Sequence, residues 1–144
     1  MVSYRGQSGL PLHTPKLYNA LSIDDIGEPI DYVFDKYCAP KNQRAFAMGC
    51  SMGANILSNY LGIKGEETKL SGGVCVQAAI KKWAGVETFE SSLGGVYNRS
   101  MGKWQFDYIR SNLDLLQPHF MENYAIDLEE QLSLEDETYT NYHQ

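Results

Sequence analysis

Apolar residues run without interruption at Ala45-Phe46-Ala47-Met48, after the polar turn Lys41-Asn42-Gln43. Continuous rather than alternating hydrophobicity predicts a central parallel strand covered on both faces. A second such run, Gly72-Gly73-Val74-Cys75-Val76-Gln77-Ala78, predicts another buried strand. Between the two, Ile56, Leu57, Tyr60 and Leu61 share one helical face, and Gly62 is placed to end that helix. The charged loop Lys64-Gly65-Glu66-Glu67-Thr68-Lys69 separates helix from strand. Strand, helix and strand in this order form the unit that builds parallel sheets.

The flanks are read in the same way. Val2-Ser3-Tyr4 runs into Arg5-Gly6-Gln7-Ser8-Gly9, as the last residues of a strand run into a glycine-rich loop, so about three strands are expected. Leu10 to Thr14, with Pro11 and the following Pro15, predicts an extended loop that carries His13. Ser22-Ile23-Asp24-Asp25 fits a helix start, a hydroxyl cap with carboxylates in the first turn. Ile26, Ile30, Val33, Phe34 and Tyr37 continue at helical spacing, with Pro29 marking either a kink or the start of a main helix that ends near Cys38-Ala39-Pro40. Glu28, Asp31, Asp35 and Lys36 then face solvent.

From Lys81 onward no strand pattern occurs. Val96, Tyr97, Met101, Trp104, Tyr108, Ile109 and Leu113 recur at roughly helical spacing, Pro118 should stop the pattern, and Met121 to Leu134 should form another helix. A stripe of this kind is more often packing than a substrate box, and His119 within it is a surface or packing residue. The expected organisation is an α/β core over residues 1–80 and a helical region over residues 81–144.

Charge and cysteine content narrow the classes. A formal charge of -6 and a pI near 5.0 disfavour nucleic acid, which needs clustered basic residues, and Lys81-Lys82 is the sole adjacent basic pair. No apolar run reaches the 18 or so residues of a membrane helix, and Met1-Val2-Ser3-Tyr4-Arg5-Gly6 lacks a signal peptide's regions, so a cytoplasmic or membrane-peripheral protein is expected over a secreted one. Cys38, Cys50 and Cys75 are odd in number and lack Cys-x-x-Cys spacing, which predicts buried free thiols. No metal or cofactor is expected, because the three histidines and the acids form no ligand-spaced cluster.

The chemistry centres on Gly49-Cys50-Ser51-Met52-Gly53, placed between the first strand and the helix. A serine on a very tight strand-to-helix turn projects its hydroxyl above the sheet, and its neighbours two residues away must be glycine to avoid clashes. Ser51 is therefore the candidate nucleophile. The pentapeptide alone is a weak signal, and its strand and helix flanks supply the context it needs.

Further blocks accompany it in order: Tyr4-Arg5-Gly6-Gln7-Ser8-Gly9, Thr14-Pro15-Lys16-Leu17-Tyr18-Asn19-Ala20, Asp24-Asp25-Ile26, and Ser51 to Leu57 with Tyr60-Leu61-Gly62. Together they resemble the YheT-like branch of the α/β-hydrolases, which includes bacterial hydrolases, plant embryogenesis-associated proteins and animal abhydrolase-domain esterases and phospholipases. The resemblance is strongest from Val2 to Ala79, and Ser133-Leu134-Glu135-Asp136 looks like a late pattern of the family's lid. It implies a mostly parallel sheet with a helical lid, and hydrolysis of lipid-like or acylglycerol-type esters through a Ser-Asp-His triad. By resemblance Ser51 is the nucleophile and the backbone N–H of Met52 one oxyanion donor.

Other parts of that machinery have no counterpart. The family's second oxyanion donor comes from a His-Gly loop before the strand at Val2, and its acid and histidine come from strand-end loops after the lid. Asp107, Asp114, Asp127 and Asp136 follow Ser51, as do His119 and His143, but all lie in predicted helical or terminal segments. A general base typically contributes about 10²–10⁴-fold and an oxyanion donor about 10²–10³-fold, so a chain lacking these partners is expected to be essentially inactive by itself. Three readings stand: a segment of a lipid-directed serine esterase, a non-catalytic interaction or pseudoenzyme fragment, and a thioesterase or acyltransferase on the same scaffold. Strands without further neighbours would leave sheet edges open to self-association.

Overall fold

A computed structural model describes residues 1–133, without the side chains of Lys82, Trp83, Ala84 and Glu87. The chain divides into two compact units, one of Met1–Pro11 with Leu17–Ile80 and the other of Leu12–Lys16 with the chain from Lys81. The class is α/β, with a parallel sheet and mostly helices. No described helix is long and apolar enough to cross a membrane.

In the first unit, helix α1 (Asp24–Val33) runs into a wide π-type turn over Phe34–Cys38 and a short 3₁₀ turn over Ala39–Lys41. Strand β1 (Ala45–Cys50), helix α2 (Met52–Lys64) and strand β2 (Leu70–Val76) follow. The strands pair in parallel, with Met48 opposite Val74 and Cys50 opposite Val76. Helix α2 lies on the sheet because its apolar residues meet glycines: a Cβ on Gly73 would stand 2.8 Å from Leu61 and 3.5 Å from Leu57. Tyr60, fully buried, points the other way toward α1, where a Cβ on Gly27 would lie 3.2 Å from its ring. Thr68 Oγ1 donates to the Tyr60 hydroxyl at 3.3 Å. Ala54, Ile56, Leu57 and Tyr60 are the buried apolar side chains of α2.

Several expectations change here. The described sheet has two strands rather than about three, since Val2-Ser3-Tyr4 is irregular and pairs with neither strand. The strands are covered on one face, not both: Phe46, Met48, Val74 and Val76 are exposed, while Ala47 and Gly49 turn toward α2. Unbroken hydrophobicity marks a strand suited to two covered faces, and only one has a neighbour among the described residues. Cys50 and Cys75 are correspondingly exposed, and Cys38 is half-buried. Helix α2 passes through Gly62 and ends at Gly65, whose φ of 52° permits the reversal. Ser22 does not cap α1, because its hydroxyl accepts from the Asn19 N–H at 2.9 Å. Pro29 lies inside α1, and Glu28, Asp31, Asp35 and Lys36 are exposed as expected. Lys69 bridges back to Asp35 at 2.8 Å and Asp31 at 3.6 Å, tying the start of β2 to the α1 segment. The hydrogen bonds to Asp35, ahead of the charge of Asp31, raise the Lys69 ammonium's pKa.

The second unit is helical: α3 (Lys82–Ser91), α4 (Val96–Arg110), α5 (Leu113–Tyr124) and α6 (Leu128–Leu132). Pro118 does not end a helix but sits within α5. The break falls earlier because the Ser111 hydroxyl donates to the Asp107 carbonyl at 2.7 Å and the Asn112 amide to the Tyr108 carbonyl at 2.8 Å, occupying the last acceptors of α4. The helix expected from Met121 to Leu134 is split at Ala125, with φ 54°, and restarts where Asp127 accepts from the N–H groups of Glu129 and Glu130 at 3.0 and 3.1 Å. Gln117 locks the hairpin, donating to Asp127 Oδ1 at 3.0 Å and accepting from the Leu128 N–H at 2.8 Å. Phe106, Tyr108, Ile109, Leu116 and Leu128 are buried, while Val96, Tyr97, Met101 and Trp104 of the same sequence stripe face outward.

Candidate active site

Ser51 occupies the one-residue turn between β1 and α2. Its backbone has φ 51° and ψ -118°, a region that residues with a side chain rarely adopt, at a cost of about 1–3 kcal/mol. Hydrogen bonds hold it from both sides. The Ser51 N–H donates to the Val76 carbonyl at 2.9 Å, tying the turn to the end of β2. The Ser51 carbonyl accepts from the N–H groups of Ala54 at 3.0 Å and Asn55 at 3.2 Å, which starts the helix.

Both flanking glycines have a steric reason to be glycine. A Cβ on Gly49 would collide with the backbone carbonyl of Gly53 and stand 2.8 Å from the Ala54 nitrogen. On Gly53 it would stand 2.9 Å from the Tyr4 hydroxyl. At Gly49 strand and helix therefore approach more closely than any other residue type allows. Gly49 is buried and Ser51 is exposed, so the hydroxyl stands at the surface above a packed hinge.

Met52 is the first residue of α2, so its N–H has no acceptor within the helix. It lies at the positive end of the helix dipole, directly after the serine, where a developing anion would be stabilised. The Ser51 hydroxyl makes no hydrogen bond among the described residues. Neither described histidine belongs to the serine's unit: His13 and His119 both fall in the other.

The remaining acids and histidines have local roles. Asp107 pairs with Lys103 at 3.2 Å and Arg110 at 3.4 Å. Asp127 caps α6, and the N–H of Glu130, ahead of the Gln117 amide, holds its carboxyl below the usual carboxylate range. His119 Nδ1 lies 3.1 Å from the Asn123 amide, and its ring meets Tyr124 edge-on. Asp114 is an exposed first-turn residue of α5. Asp136 and His143, with the pattern Leu134-Glu135-Asp136, lie outside the described residues. No group of three or more His, Cys, Asp and Glu among the described residues could hold a metal ion.

Two supporting features were not anticipated from the sequence. Arg5 clamps Asp25 through both carboxylate oxygens, with Nε at 3.0 and 2.9 Å and a further contact from its terminal nitrogen. The Asp25 carboxylate is 10% exposed. With Ser3, Asp24, Glu28 and Pro29 the pair lines a cavity of about 300 Å³ that does not include Ser51, so its chemistry is that of an ion pair fixing the N-terminal segment to α1. The other feature is the Tyr4 ring, stacked on Tyr18 at 5.1 Å with its hydroxyl against Gly53. Burial pushes the Tyr4 phenol's pKa up, which keeps it protonated.

Among curated proteins the chain is similar to Protein abhd-3.2 of Caenorhabditis elegans, 27% identical over 118 residues, covering 81% of this chain and 31% of that protein. It is 30% identical over 101 residues to Embryogenesis-associated protein EMB8 of Picea glauca, covering 69% of this chain and 21% of the relative. An abhydrolase domain-containing protein of Dictyostelium discoideum is 33% identical over 66 residues, 46% of this chain and 16% of the relative. The chain is related to the α/β-hydrolase family. It spans less than a third of the length of each of these relatives. No family profile matches the chain, and no solved structure does. Gly49, Ser51 and Gly53 of this chain stand in a Gly-x-Ser-x-Gly pattern between a strand and a helix.

Proposed function

We propose that this chain carries the nucleophile of a serine hydrolase of carboxylic esters, with lipid or acylglycerol-type molecules as the substrate class. Residues 1–80 form part of the hydrolase core and residues 81–144 its helical lid. The observation that carries the reading is the backbone of Ser51, a non-glycine residue at φ 51° between two glycines, the first of which has no room for a side chain against the backbone of the second. A strained residue persists where its surroundings over-determine it, and such residues cluster at functional sites.

In this reading the Ser51 hydroxyl attacks the ester carbonyl as its proton passes to a general base. The Met52 N–H, at the head of a 13-residue helix, stabilises the oxyanion. Collapse releases the alcohol and leaves an acyl-serine, which water then hydrolyses to the free acid. In this reading the base is a histidine, and residues 1–11 and 17–80 contain none.

A fluorophosphonate probe tests the reading on the longest in-frame gene product that contains these residues. Labelling should map to Ser51 and disappear in Ser51→Ala. Equal labelling of the two proteins removes Ser51 from the mechanism. An unlabelled but folded product favours a non-catalytic interaction role, and preferential turnover of thioesters favours the thioesterase reading.

A further inference from the structure

Helix α4 presents its faces in an unusual order. Asn98, Gly102 and Gln105 are buried together with Phe106 and Ile109, whereas Val96, Tyr97, Met101 and Trp104 are outward. Trp104 is 50% exposed and Tyr97 55%. These four positions fall on one side of the helix at spacings of one, four and three residues. Leu93, 73% exposed, stands just ahead of them on a left-handed turn with φ 49°, followed by Gly94 and Gly95 that also have positive φ. Phe106, Tyr108 and Ile109 are buried toward the end of the helix, whereas Val96, Tyr97, Met101 and Trp104 have no cover among the described residues while Asn98 and Gln105 do.

Charge along the same helix runs against the rest of the chain. The chain as a whole carries -6, but α4 holds Arg99, Lys103 and Arg110 against the single acid Asp107. The three basic positions lie along one flank of the apolar stripe. Lys103 is 68% exposed even while paired with Asp107. Arg99 donates to the Gly94 carbonyl at 2.7 Å, which holds the guanidinium beside the Leu93 turn. An outward face of Trp, Tyr and Met with a basic flank suits a lipid interface, where indole and phenol sit at headgroup depth and basic side chains meet anionic headgroups.

We propose that the outward face of α4, with Leu93 at its leading edge, docks on a lipid surface bearing anionic headgroups. The basic flank selects the occupant: an acidic chain that concentrates net positive charge beside an apolar stripe is complementary to a negative apolar surface. This docking does not depend on Ser51, and the two readings can fail separately.

Flotation of the full 144-residue chain with vesicles tests it, using phosphatidylcholine alone and phosphatidylcholine with phosphatidylserine. The chain should float with the anionic vesicles, and added salt should release it. Replacing Arg99 and Lys103 by Gln should weaken partition roughly fivefold per residue. Tyr97→Ser with Met101→Ser should weaken it on the order of tenfold, since both side chains lose their buried apolar area. Leu93→Ser, which leaves the helix sequence intact, should act in the same direction, with circular dichroism verifying that helix content is kept. The chain has two tryptophans, so in a Trp83→Phe background a blue shift of emission on anionic vesicles reports Trp104 itself. No flotation of the wild type, equal flotation with both vesicle types, or undiminished binding by the stripe variants overturns the proposal. A stripe-dependent dimer in sedimentation velocity without flotation overturns it as well, because the face would then be covered by a second copy.

Discussion

Gly49 is the sharpest test of the elbow, because the group a side chain would meet there is backbone. In Gly49→Ala the new methyl group runs into the Gly53 carbonyl and lies 2.8 Å from the Ala54 nitrogen. Neither neighbour can rotate away, so β1 and α2 must separate. Overpacking a well-packed site costs about 1–3 kcal/mol when side chains can yield, and a backbone collision belongs at or above the top of that range. Gly62→Ala is the matched control: nothing lies within 4 Å of its Cβ, and it sits inside α2. That change should stabilise by about 0.5–1 kcal/mol through helix propensity alone. Gly53→Ala is intermediate, since the Tyr4 hydroxyl 2.9 Å away is the end of a side chain, though one held by its stack on Tyr18. It should cost about 1–2 kcal/mol, and Tyr4→Phe in the same chain should return much of that by removing the obstructing oxygen. Urea denaturation followed by circular dichroism measures all four. With a slope of about 1–3 kcal/mol/M, the Gly49→Ala midpoint should fall by about 1–2 M and the Gly62→Ala midpoint should rise slightly. A Gly49→Ala midpoint indistinguishable from wild type would refute the close approach and, with it, the steric account of the turn.

Three further outcomes follow from other parts of the structure. Arg5→Ala leaves the Asp25 carboxylate without its bidentate partner, and proteolysis of the N-terminal segment should accelerate; Asp25→Asn should have a smaller effect because no charge is stranded, and equal rates for the two variants would argue against the clamp. Asp127 is held below its ordinary pKa in the folded chain, so its capping contribution is complete above the ordinary carboxylate pKa and is lost as pH falls through the lowered value. Acid titration of helix content should therefore differ between wild type and Asp127→Asn in the acid range and converge at low pH, where a constant difference would exclude the titration of this carboxylate. Met48, 77% exposed on the uncovered sheet face, should drive concentration-dependent association that Met48→Lys suppresses in sedimentation velocity, and an unchanged profile would count against that face as the associating surface.

The elements that could be read from the sequence are those whose signal is local. The run Ala45 to Met48, the glycines around Ser51 and the spacing of Ile56, Leu57 and Tyr60 mark strand, turn and helix without reference to the rest of the chain. The elbow is legible for the same reason, since its constraint spans five residues. What was not legible depends on neighbours. Hydrophobicity on both faces of β1 describes what the strand can be packed against, and Phe46 and Met48 are exposed because one face has no partner among the described residues. Gly62 was expected to end α2, yet the helix runs on to Gly65, whose φ of 52° the reversal requires. Pro118 was expected to end a helix, yet side chains of Ser111 and Asn112 end the preceding one first. The Arg5–Asp25 clamp joins residues 20 positions apart, which periodicity cannot pair.

The candidate site draws these scales together. Ser51 is strained by its own backbone, and a strain of about 1–3 kcal/mol would relax unless several independent contacts opposed it. The structure supplies them from different parts of the chain: the Val76 carbonyl from the end of β2, the N–H groups of Ala54 and Asn55 from α2, and the absent side chain of Gly49 that lets strand and helix meet. Tyr4 closes the far side of Gly53, and neighbouring Arg5 anchors that segment to α1 through Asp25. Tyr4 from one of the segments that resemble the hydrolase family thus reaches the turn, and Asp25 from another holds the neighbouring Arg5, although the two are separated along the chain. The Arg5–Asp25 ion pair therefore acts on the turn through the segment that carries Tyr4. The site also separates two properties that a motif alone conflates. The contacts that hold the strained turn all lie within this unit, whereas the proposed reaction also needs a general base, so the geometry of the serine and its reactivity are independently testable.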